Sequence, residues 1–157
     1  MIRSGNVRLF LLGIGFVAVQ IVLMRHLEIF GATSDLVLLF LLWLATKKDK
    51  TACLLYAASL GFLQDSLTDL WGVHMFSKTL TIFILHGYLN RIKEKQLLFW
   101  QVFLFILMSA VIHNGIFFGV TLFSDLYTAG FLTLSILIYS PLYTSFIGSF
   151  LHLVKQD

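Results

Sequence analysis

The sequence has a single cysteine, a single proline and few charges in its 157 residues. With Cys53 alone, an internal disulfide and any CxxC metal or redox motif are excluded, and the residue is read as a free thiol. Only 12% of residues are charged, against 59% hydrophobic and 15% aromatic, whereas a soluble domain is nearer about a quarter charged with under half its residues apolar. Two catalytic signatures are missing: there is no HExxH for a membrane metalloprotease, and Ser59 in ASLGF lacks the GxSxG context of a serine nucleophile. The apolar start, residues 1–24, resembles a secretory signal, but no small-residue cleavage site follows, so an uncleaved first helix is expected. No low-complexity linker, soluble-domain boundary or internal repeat is visible.

What is present is apolar sequence in long runs, with a mean hydropathy of +0.91. Each membrane crossing needs roughly 20 mostly apolar residues. The runs predict spans at about residues 9–24, 36–46 (extended upstream through 29–35), 51–64, 72–89, 97–123 and 130–154. The second and third are short. Residues 1–157 are therefore read as a single polytopic membrane domain of six transmembrane helices. Pro141, inside the last run, predicts a kink or break.

The net charge of +3 is not a nucleic-acid signal, because the basic residues cluster at the ends of apolar runs. Nine of them, Arg3, Arg8, Lys47, Lys48, Lys50, Arg91, Lys93, Lys95 and Lys155, fall on one side of the predicted topology. Arg25 stands on the other side with Glu28, Asp35, Asp65, Asp69 and Asp125. Lys and Arg in short loops stay in the cytoplasm, so both termini are expected there. The basic turns 47–50 and 91–95 would face cytoplasmic proteins or anionic lipid, or report topology alone.

Residues 61–80, GFLQDSLTDLWGVHMFSKTL, form a polar island in this apolar chain. The topology makes 65–71 an external loop and puts His74 and Lys78 on one face of the fourth span, four residues apart. A lysine inside a span is costly unless it snorkels outward or meets a carboxylate. Asp65 and Asp69 are the nearest carboxylates in sequence and the expected partners, either as a staple between loop and helix or as a buried functional site. If the charge only staples, Lys78→Met is expected to be tolerated, whereas Asp65→Ala should lower the protein's level. Asp65, Asp69 and His74 are metal-compatible by ligand type, but Lys78 would stand against the cation. Gly61 and Gly72 suit close packing and a turn, and the two aspartates suit the N-terminus of the fourth helix. In the fifth span His113 and Asn114 must find partners in the bundle, line a ligand pocket or contact a partner helix, and Gly115 with Gly119 has small-xxx-small spacing. The same spacing occurs at Ala57 with Gly61 and at Ser145 with Ser149. Gln20 and Gln101 are isolated, and Trp43, Trp71, Trp100, Tyr88 and Tyr127 suit interfacial belts.

The order of features resembles the rod-shape-determining membrane protein family MreD. The resemblance rests on an aspartate opening the second span (SDLVLLFLLWLA), a basic turn, GFLQD, a short loop, G-x-H and an aromatic-rich fourth span ending in GYLN. It is clearest from Ser34 to Arg91, and Ser34 stands where the family pattern usually has proline. The resemblance implies a non-enzymatic component of the bacterial cell-elongation machinery in the inner membrane, with no cofactor. It implies binding to the bitopic shape protein MreC and, indirectly, to MreB-like filaments, RodA and the penicillin-binding synthases of peptidoglycan. The motif positions carried over are Asp35, Gly61, Gln64, Asp65, Gly72 and His74, with a structural or interfacial role; Asp69, Lys78, His113 and Asn114 make up a candidate buried polar network. The resemblance also implies a fold similar to the six-helix substrate-binding subunits of energy-coupling-factor transporters. A vitamin-binding subunit is accordingly the rival reading, although the first span lacks the AxxxA pattern of such subunits. An ion carrier would need ionisable residues through the full membrane depth. Here they cluster toward one side, His86 excepted.

Overall fold

A computed structural model describes residues 4–23, 26–28, 31–92, 98–123 and 135–156. Among them are six α-helices and no β-strand: α1 (Ser4–Val22), α2 (Leu36–Ala45), α3 (Lys50–Thr68), α4 (Val73–Ile92), α5 (Phe99–Phe123) and α6 (Ser140–Gln156). A π-helical turn, Ser135–Tyr139, precedes α6. Arg3, Arg25, Lys93, Lys95, Asp125 and Tyr127, and the side chain of Lys155, lie outside the described residues.

The bundle is built around its shortest helix. LVLLFLLWLA is apolar on every face, and a helix of that kind buries every face. Eight of the ten residues of α2 are buried, and the helix packs against α1, α3, α4 and α6. Ten residues rise only about 15 Å, half of a hydrocarbon core of about 30 Å. The second run therefore does not cross as one helix, and in the non-helical stretch 32–35 that leads into α2, Ala32, Ser34 and Asp35 are buried with it. Asp35 caps α2 through a 2.8 Å bond from the Leu38 amide.

The remaining helices close around α2 by small-residue contacts. Phe16 of α1 stacks on Phe40 of α2 with ring centroids 5.2 Å apart. Gly61 lets α3 meet the backbone of α4, since a Cβ there would sit 2.6 Å from Met75 Cα. Gly148 of α6 fits between Leu39 and Ile106. Ala57 and Gly61 are both buried, as are Ser145 and Ser149. The Gly115 and Gly119 pair differs: a Cβ at either would meet nothing. That stripe looks away from the bundle.

Two boundaries depart from the expected ones. The third run extends through Thr68, so Asp65 belongs with Gln64 to the last turns of α3 and is buried, not part of an external loop. Hydropathy ends the span at the first polar residues, but these find partners inside and the helix continues. The irregularity expected at Pro141 is the π-helical turn ending at Tyr139, with Pro141 itself in the first turn of α6.

Large apolar side chains cover the outside: Leu55, Phe62, Trp100 and Phe146 are each more than 60% exposed. Polar ones fill the inside. Ser77, Lys78, Thr81, Ser109, Ser145 and Ser149 are fully buried. Several hydroxyls return to carbonyls of their own helix, Thr81 to Ser77 at 2.7 Å and Ser109 to Phe105 at 2.8 Å, so they need no water. Soluble monomers rarely expose so much contiguous apolar surface. The helices α1 and α5 each have the length and apolarity to cross a membrane.

Candidate functional site: a buried polar hub at Asp35

Asp35 is where most of the bundle converges. The Lys78 ammonium of α4 donates to Asp35 Oδ2 at 2.6 Å, and Lys78 is fully buried. His113 Nε2 of α5 lies 3.8 Å from the same oxygen. The Asp35 amide donates to Thr144 Oγ1 of α6 at 3.0 Å. On either side of Asp35, Gln20 of α1 clamps the backbone: its Nε2 donates to Ser34 O at 2.7 Å and its Oε1 accepts from Leu36 N at 2.6 Å. Ser140 Oγ, at the start of α6, donates to Thr33 O at 2.8 Å.

These contacts correct the expected pairing of Lys78 with Asp65 or Asp69. The lysine turns inward, to a carboxylate 43 residues away that is placed by the cap of α2. The reason is physical: in a buried site an ammonium needs a full counter-charge, and the Asp65 carboxylate is already committed. Its Oδ1 accepts from His74 N at 2.8 Å and its Oδ2 from Met75 N at 2.9 Å. Asp65 thus caps α4 from the end of α3, satisfying two amides that the first turn of a helix leaves without partners. Asp69 is exposed and ends α3 in the left-handed conformation at φ 59°, so it stands outside the buried network. Gly72, at φ 81°, takes the positive angle needed for the turn into α4.

The other expected members lie at the interface of α3, α4 and α5. His113 Nδ1 bonds Asn114 Oδ1 at 2.9 Å, and its Nε2 bonds Ser77 Oγ at 3.3 Å. With the amide oxygen accepting, Nδ1 donates to Asn114, and the Ser77 hydroxyl beside Nε2 also lies 3.3 Å from His74 O. Gln64 Nε2 and His74 Nε2 are 3.5 Å apart, and the His74 ring lies 4.9 Å from that of Phe117. Gly61 makes the close approach to α4 already described.

Sequence reading left Gln20 as isolated, where it clamps the backbone at Asp35, and passed over Ser77 and Thr144. Gln20 carried a usable signal, an amide in an otherwise apolar run, but its target is backbone, which no side-chain pattern reveals. Chemically the hub is closed: both Asp35 oxygens are engaged, and its lysine and histidine are buried against it. Among the described residues, no three His, Cys, Asp or Glu side chains converge as a metal site would require.

A helical bundle with apolar side chains outward and an ion pair inward has the build of a membrane-embedded protein. The comparison of sequences is specific on its kind. The chain belongs to the MreD family: the model of the rod shape-determining protein MreD matches residues 4–153. This is a family of membrane proteins of the rod-shape machinery, shape-determining and structural in role. Neither a curated protein nor a solved structure matches the chain.

Proposed function

We propose that this chain is a multi-pass protein of the bacterial cytoplasmic (inner) membrane, crossing it six times, the second time by the non-helical lead-in 32–35 together with the short α2, and keeping both termini in the cytoplasm. It serves there as a non-enzymatic scaffold of the elongation machinery by holding the transmembrane helix of an MreC-like bitopic partner. Through that partner it connects to an MreB-like filament, to RodA and to penicillin-binding synthases. The family match over residues 4–153 carries this reading. The chemistry of the bundle supports it, because most of the buried polar groups bond within or between the helices and an apolar exterior is left for helix-on-helix recognition. The asymmetric placement of Lys and Arg supports the orientation. In this reading Asp35, Gly61, Gln64, Asp65, Gly72 and His74 act by fixing the shape of the recognition surface.

The test is a mild-detergent pull-down of the tagged protein, with retained proteins and small molecules identified by mass spectrometry. Recovery of a bitopic shape protein with cell-wall synthases is the expected result. A stoichiometric vitamin together with an ATPase module would overturn it in favour of a transporter subunit.

A further inference from the structure

The turn between α2 and α3 is basic, pinned in place and open. Its backbone is fixed from three directions: Lys47 and Lys48 amides donate to Leu44 O at 2.9 and 3.0 Å, Asp49 caps α3 through the Ala52 amide at 3.3 Å, and His86 Nε2 of α4 bonds Lys48 O at 3.0 Å. Beside it opens a cavity of about 410 Å³, lined by Lys47, Lys48, Lys50, His86 and Asn90 together with Thr46 and Asp49.

The three ammonium groups have found aromatic and amide partners. Lys50 Nζ is 3.7 Å from the centre of the Phe83 ring, Lys47 Nζ is 5.7 Å over Trp43, and Lys48 Nζ donates to Asn6 Oδ1 at 3.0 Å. No carboxylate among the described residues stands within ion-pair distance of any of them. The single carboxylate of the lining, Asp49, is turned to the helix it caps. Partners of this kind hold an ammonium in position without discharging it, so the cavity presents organised positive charge with no counter-ion of its own.

We propose that this turn binds the headgroup phosphate of an anionic phospholipid. The proposal rests on the membrane-embedded reading above, and adds to it a specific ligand. A phosphodiester supplies the missing negative charge and acceptor oxygens for more than one lysine. The surroundings select a lipid over a soluble phosphate: Phe83 is 53% exposed and Phe76, seven residues earlier on the same side of α4, is 51% exposed. They form an apolar lane running from the cavity along the helix, and Lys50 lies over its first ring, at the junction of headgroup and acyl chain. A zwitterionic lipid brings its own ammonium against three lysines and binds less well. Basic pockets at the ends of membrane helices are general sites for acidic headgroups.

The test uses the full-length protein, purified in mild detergent and given phosphatidylglycerol and phosphatidylcholine in equal amounts, with retained lipids counted by native mass spectrometry. Wild type is expected to retain phosphatidylglycerol preferentially. K47Q/K48Q/K50Q should lower that retention on the order of tenfold, Arg8→Gln outside the cavity should leave it unchanged, and K47R/K48R/K50R should restore it. If the triple glutamine variant does not survive purification, Lys50→Gln alone, at an exposed side chain, should already reduce the preference. Equal retention of the two lipids, or an undiminished preference in the glutamine variants, would overturn the proposal. Displacement of the lipid by millimolar inorganic phosphate would assign the cavity to a free anion, and capture of an acidic protein through the same lysines would assign it to a protein partner; either also overturns it. A wrong membrane reading shows separately, as protein released from membranes by alkaline carbonate before any lipid is added, and a failed pull-down leaves the lipid result standing.

Discussion

Lys78 is among the largest side chains fully shut inside the bundle, and its charge meets a single carboxylate. Desolvating both ions is expensive, so the pair is a poor source of stability but a severe liability when halved. Lys78→Met and Asp35→Leu should each lower stability by about 3–5 kcal/mol, and the double variant should lose less than either single one. Thermal unfolding of the four proteins in one detergent gives this cycle; additive losses would show that the two groups are not coupled. The tolerance of Lys78→Met expected for a simple staple is thereby reversed. Ser34 makes the opposite case. Its hydroxyl is buried and has no hydrogen-bond partner among the described residues, and an unsatisfied buried donor costs about 1–3 kcal/mol. Ser34→Ala should leave the melting temperature unchanged or raise it. That Lys78 needed a carboxylate was legible from sequence. Which carboxylate was not, because local spacing relates only residues on one element, and Asp35 reaches Lys78 through the packing of α2 on α4.

The hairpin of α3 and α4 depends on one missing methyl group. A side chain at Gly61 would collide with the Met75 backbone, with Cα at 2.6 Å and N at 2.8 Å, and backbone cannot step aside. At Gly13 the nearest atom, also at 2.6 Å, is the tip of the Leu60 side chain, which can rotate. Gly61→Ala should therefore lower abundance and thermal stability well beyond Gly13→Ala, by about 1–3 kcal/mol against less than about 1. Immunoblotting of membranes and melting of the purified variants check the order; equal effects would mean that the hairpin flexes at Met75. Elements of this kind were largely visible beforehand as apolar runs. Their ends were not, since α3 runs on past Gln64 to Thr68 with Asp65 bonding into α4, and the short α2 is limited by the cap at Asp35 and the turn at Thr46. Hydropathy measures preference for lipid and carries no information on where a polar residue finds its partner.

For the molecule as a whole, α3 is 19 residues long, about 28 Å by helical rise, so in the proposed topology its two ends stand on opposite faces of the bilayer. In a Cys53→Ala background, Thr68→Cys should react with a membrane-impermeant maleimide in intact spheroplasts, and Thr51→Cys only after permeabilisation. Both chosen side chains are exposed. Labelling of both from one side would refute a crossing by α3, and the reverse pattern would invert the orientation drawn from the Lys and Arg count. The helical class and the family were readable in composition and in motifs such as GFLQD; the inside-out chemistry, apolar shell over polar hub, emerges only once five elements meet at one aspartate. That meeting also imposes an order on biogenesis. The carboxylate is synthesised 43 residues before the ammonium it neutralises, so the pair can close only once α4 has been made. Thr144, later still, joins Asp35 from the far end of the chain. Assembly around Asp35 is thus sequential by construction: its partners on α4 and α6 become available only as the chain lengthens.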